Sequence, residues 1–91
     1  MERKLEYINM GRGGYVVYKD DLSTIKLDFE FGGGNCVAII FVPTPENWTK
    51  QTHRPISDRL PILTFIATQS IKDQAPNSTY TLSDQFIEIF H

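Results

Sequence analysis

Between Thr24 and Phe31, apolar and polar residues alternate without a break. Ile25, Leu27, Phe29 and Phe31 fall on one side of an extended chain, and Lys26, Asp28 and Glu30 fall on the other. A period of two marks a strand with one buried face and one wet face. Sliding its pairing by one residue would bury three charges, so the register is strongly specified. A sheet with a dry side is therefore required, and the rest of the chain must supply its cover.

Residues 57–74 supply it. Ser57 is placed to cap a helix, Asp58 lies in its first turn, Pro61 is tolerable only near that end, and Ala75-Pro76 stops it. Leu60, Ile62, Leu63, Ile66, Ala67 and Ile71 make an apolar stripe, with Thr64, Thr68 and Lys72 opposite. Phe65 falls near the polar side and is marked as a contact residue.

Four strands are expected before this helix. Lys4 to Asn9 is followed by Gly11-Arg12-Gly13-Gly14, which tolerates positive φ and reads as a turn. Tyr15 to Lys19 is β-branched and aromatic, Asp20 to Ser23 turns the chain, and Thr24 to Phe31 follows. The fourth strand, Cys36 to Val42, has no polar position and reads as a central strand covered on both faces. Pro43 ends it, and Thr44-Pro45-Glu46 opens a short helical turn near 44–50, with Pro43 and Trp48 in staple positions. Tyr80–Leu82 and Phe86–Phe90 close the chain as one or two strands. The crossover is long enough to return the last strand parallel to the fourth. The predicted fold is α+β: an antiparallel sheet of four to six strands, a meander of four first, with one main helix across one face.

Ninety-one residues make a single domain, 1–91. The net charge is −2 and no basic run exceeds Arg3-Lys4. Nucleic acid and anionic membrane surfaces, which need dense positive charge, are not expected partners. Cys36 is the only cysteine, so no intrachain disulfide forms. "MERKLEYINM" has no apolar core of signal-peptide length, and the expected location is cytoplasmic.

No catalytic residues are assigned. A Cys36 nucleophile with His53 as base would need a thiol activated by a helix N-terminus or a nearby cation, whereas Cys36 opens an apolar strand, where a thiol behaves as a small hydrophobe. Two histidines and one thiol make no metal motif, so no metal or cofactor is expected. Gly32-Gly33-Gly34 joins strand to strand with no lysine after it, which favours a hairpin over a phosphate cradle. The start of the main helix is richer. His53, Arg54 and Arg59 gather there, with Trp48 as a wall, around a site for a small anionic ligand. The plainer reading makes the arginines exposed salt bridges to Asp58, Glu30 or Glu46.

The aromatics point to assembly. Tyr15, Tyr18, Phe41, Phe86 and Phe90 exceed what one helix can cover, and with Phe65 they are the candidate interface. The expected function is a small non-enzymatic interaction or binding protein that forms a homodimer through its sheet, with a further protein partner in reserve. The alternative is a ligand-binding protein or enzyme using the anion corner.

Overall fold

A computed structural model describes residues 2–91. It has six strands in one antiparallel sheet, ordered β1-β2-β3-β4-β6-β5. They are β1 (Lys4–Asn9), β2 (Gly13–Lys19), β3 (Thr24–Phe31), β4 (Cys36–Phe41), β5 (Thr79–Leu82) and β6 (Phe86–Phe90). Between β4 and β5 come α1 (Trp48–Thr52), a 3-10 turn at Ile56–Asp58 and α2 (Arg59–Gln74). The α+β architecture, the four-strand meander and the single covering helix are those the residue pattern predicts.

Three details differ, each for a physical reason. The last strand, β6, lies antiparallel to β4, because the crossover first lays down β5 at the outer edge and a tight turn brings the chain back inside it. Strand β2 begins at Gly13, since Gly13 and Gly14 belong to the ladder rather than to the turn. A Cβ on Gly14 would stand 1.8 Å from the Ile8 carbonyl oxygen, and one on Gly13 2.3 Å from that of Phe29, so only glycine admits both neighbouring strands. The short helix starts at Trp48 with Asn47 as its cap, after a turn closed by the Asn47 amide on Thr44.

The core lies between sheet and helices. Ile62, Leu63, Ile66 and Ala67 of α2 are buried against Val16, Tyr18, Ile25, Leu27, Phe29, Ile40, Ile87 and Ile89. Leu60 is 61% exposed, contrary to its place in the predicted stripe. It stands about 90° from the centre of the buried set at 100° per residue, in the first turn of α2. Phe65 deviates the other way. Helix α2 touches β1 at one edge of the sheet and β5 and β6 toward the other, so the sheet curls around it. That curl brings Tyr18 edge-on to Phe65 at 5.9 Å, with the Arg3 guanidinium 5.0 Å above the Phe65 ring. A side chain on the polar flank of the helix thus becomes half-buried.

The triple glycine is a hairpin turn, closed by the Cys36 amide on the Gly33 carbonyl at 3.0 Å. Gly34 has φ +60, a conformation that costs a side chain ~1 kcal/mol. Among the described residues, nothing lies within 4 Å of where its Cβ would stand. Gly34→Ala is therefore expected to lower stability by about that amount in urea denaturation, from backbone strain alone.

Candidate functional site

The cations of the predicted anion corner, Arg54 and Arg59, are engaged by the chain itself. Arg54 is 7% exposed. Its Nη1 donates to both oxygens of Asp20 at 2.9 Å and to Ser23 Oγ at 3.0 Å, and its Nε donates to Asp58 at 3.1 Å. Asp20, whose side chain is fully buried, also accepts from the Tyr18 hydroxyl at 2.6 Å and from the amides of Leu22 and Ser23. Burial alone would raise the Asp20 pKa and lower that of Arg54. The hydrogen bonds and opposite charges reverse both, holding Asp20 well below the usual carboxylate range and Arg54 above its ordinary value. Tyr18 is pushed up to about 12, by burial first and by the bond to Asp20 second.

Arg59 is used similarly. Its Nε and Nη2 donate to the Pro43 carbonyl at 3.1 and 3.0 Å, and Nη2 also to that of Asp84 at 3.0 Å. It pins the end of β4 and the β5–β6 turn to the head of α2. Trp48 is completely buried and donates from Nε1 to the Pro55 carbonyl at 3.0 Å, so it belongs to the core and is not the wall of an open pocket. His53 is exposed, with φ 59, at the end of α1. The corner braces the fold: Arg54 ties the β2–β3 turn to the helices, and the pair is buried rather than the exposed bridge expected. Asp20 was invisible as its partner because 34 residues separate the two and no local pattern links them.

Among the described residues, no helix lies on the other face of the sheet. Trp48 of α1 and the buried residues of α2 both join the core on the opposite side. Strand register aligns the side chains of this open face in rows. Tyr15 is opposite Asp28, and Phe41 is opposite Phe86, with Phe41 and Phe86 edge to face at 5.5 Å. The next row sets Gly13 against Glu30, Glu30 against Ile39, and Ile39 against Glu88. Phe41 is 36% exposed, and Ile39, Phe86 and Phe90 are half-buried. The apolar fourth strand is therefore dry on its helix side only, a correction to the two-sided cover expected of it. Tyr18 lies on the helix side at 1% exposure and is not part of this face. Tyr15 is half-buried beneath Lys26, whose Nζ is 3.8 Å from its ring centre.

Beside the Phe41–Phe86 pair, the bare backbone of Gly13 leaves an open groove of ≈ 760 Å³, bordered by Met10, Arg12, Tyr15, Asp28, Glu30 and Phe41. Among the described residues, Asp28, Glu30 and Glu88 take no ion-pair partner. Lysines cluster instead toward β1 and β2, where Lys4 and Lys19 both approach Glu6. Cys36 is half-buried and donates to the Ala38 carbonyl at 3.6 Å. Among the described residues, no group of three His, Cys, Asp or Glu side chains is placed to hold a metal, and no helix is long and apolar enough to cross a membrane. No family model, no curated protein and no solved structure matches this chain.

Proposed function

We propose that this protein is a non-enzymatic interaction module that works as a homodimer, two copies joined through the open faces of their sheets. The observation that carries the reading is the Phe41–Phe86 pair, standing with Ile39 and Phe90 on a face over which the described residues lay no helix. A two-fold axis makes such a patch bury itself. An axis running across the strands, along the Phe41–Phe86 row, would also set the Lys4–Lys19 end of one copy against the Glu30–Glu88 end of the other, whose carboxylates take no ion-pair partner among the described residues. The molecule measures 35 × 25 × 23 Å, so its broad face is of the size of the ~800 Å² that each partner contributes to a standard interface.

Pairing through the sheet edges is less favourable. Edge strand β1 carries Lys4 and Glu6, and edge strand β5 has only 4 residues, both common devices against edge association. The free thiol of Cys36 suits a reducing cytoplasm. Analytical ultracentrifugation tests the reading. The native chain is expected at twice its monomer mass. Phe86→Asp, placing an unpaired charge at the centre of the patch, is expected to raise the dimer dissociation constant by ~30-fold or more, the loss of one hot spot. A native protein that stays monomeric at hundreds of micromolar, or a variant that dimerises as tightly as the native chain, would overturn it.

A further inference from the structure

Charge on the open face is ordered along the strands. One row crosses its middle: Tyr15 on β2 is opposite Asp28 on β3, and Phe41 on β4 is opposite Phe86 on β6. The pairing of Phe29 with Ile40 and of Glu30 with Ile39 carries on to set Asp28 beside Phe41, and both border the groove at Gly13. Two residues to one side of Asp28 stands Lys26, in the row of Val17 and Glu6, with Lys19 and Lys4 beyond. Two residues to the other side stands Glu30, in the row of Ile39 and Glu88. Glu6 is approached by Lys4 and Lys19, whereas Lys26, Asp28, Glu30 and Glu88 form no ion pair among the described residues. Lys26 rests its Nζ 3.8 Å from the Tyr15 ring centre, a contact that leaves its charge without a carboxylate.

A two-fold axis that packs two such faces together can run along the strands or across them. Along the strands, it lays each row on its own counterpart, so lysines meet lysines and the Glu30–Glu88 row meets itself. Like charges set opposite each other are destabilising. Across the strands, the axis exchanges the two ends of the face. Lys26 and Glu30 are equidistant from Asp28 on one strand, so Lys26 of each copy then stands over Glu30 of the other, and the contact is made twice. Each lies only ~7 Å from the axis, so the ~30° angle of packed sheets keeps the two within reach across a gap of ~10 Å.

We propose that reciprocal Lys26–Glu30 pairs set the orientation of the two copies, with the axis crossing the strands along the Asp28 row; this rests on the homodimer proposed above. Lys26 of the other copy enters the groove beside Gly13, which Tyr15 and Phe41 flank and Arg12 rims, and meets Glu30 at its border. Asp28 lies on the axis and faces its own counterpart, a repulsion that the flanking Lys26 side chains offset.

Charge reversal in the full-length chain tests it, read by sedimentation and by native mass spectrometry of mixtures with one chain isotopically labelled. Lys26→Glu alone and Glu30→Lys alone each turn both attractive contacts repulsive, and each homodimer should dissociate about tenfold more readily or worse. Mixed in equal amounts, the two variants should pair with each other at close to native affinity, because each supplies the charge that the other lacks. The double variant Lys26→Glu/Glu30→Lys should regain the native dimer, and Asp28→Asn should tighten it. Random mixing of the single variants, a double variant no tighter than either, or a loosened Asp28→Asn dimer would overturn this inference. The homodimer would survive those results, provided that the native chain keeps twice its monomer mass and Phe86→Asp still dissociates it. A native chain that is monomeric at hundreds of micromolar would overturn both.

Discussion

Arg54→Ala is expected to destabilise the protein by ~3–5 kcal/mol, the usual cost of removing one partner from a buried ion pair. The cost arises because Asp20 would keep a fully buried carboxylate with its cation gone, holding only Tyr18 and two amides. At ~4–8 °C per kcal/mol for a domain of this size, the melting temperature should fall by more than ~12 °C. Arg54→Lys should recover only part of the loss, since an ammonium cannot reach Asp20 and Asp58 with the planar fork that joins them now. The same network sets the response to acid. Asp20 has its pKa depressed below the ordinary 3.8 in the folded state, so its contribution is complete above that value. It is lost progressively as pH falls from there toward the folded pKa. Asp20→Asn should be less stable at neutral pH and should flatten that acid limb. Urea denaturation from pH 7 down to pH 2.5 measures both effects, and an unchanged acid limb in Asp20→Asn would contradict the role given to the pair.

Trp48→Ala is expected to cost a further ~3–5 kcal/mol. Trp48 is completely buried among the core residues and holds the Pro55 carbonyl through its indole nitrogen. Trp48→Phe should cost less, retaining much of the packing but leaving that carbonyl unpaired, a loss of ~1–3 kcal/mol. Were the tryptophan a wall facing solvent, truncation would change stability by little. Trp48 and Arg54 share one loop, in which Thr52 Oγ1 joins the Trp48 carbonyl to the Arg54 amide. A double variant should therefore depart from additivity.

The contrast between these residues and the open face shows what a linear pattern can and cannot reveal. Strand β3 was legible because its alternation has no error, and a period-two segment with a charged face admits one orientation. The helix was legible from its stripe and from Pro76. An ideal wheel misplaces Leu60 and Phe65 because it shows neither that Leu60 sits in the exposed first turn of α2 nor that Tyr18 and Arg3 cover Phe65 on the polar flank. Gly13 and Gly14 looked like turn residues because composition shows flexibility and cannot show the close approach of β1 and β3 that demands them. Tyr18 looked like surplus surface aromatic, yet Val16 and Tyr18 share the helix side of β2 and both are buried. At the corner, helix-start chemistry marks Arg54 and Arg59 as cations near the head of α2. Their partners were hidden by separation along the chain: Asp20 for Arg54, and the carbonyls of Pro43 and Asp84 for Arg59.

The proposed homodimer joins two copies through the faces that bear Phe41 and Phe86. Mixing isotopically labelled with unlabelled chain and recording only contacts between the two tests it most directly. The expected result is a set of intermolecular contacts from the rings of Phe41, Phe86 and Phe90 to their counterparts across a two-fold axis, absent in Phe86→Asp. Intermolecular contacts that instead join β1 edges or the exposed side of α2, or none at all at millimolar protein, would contradict it.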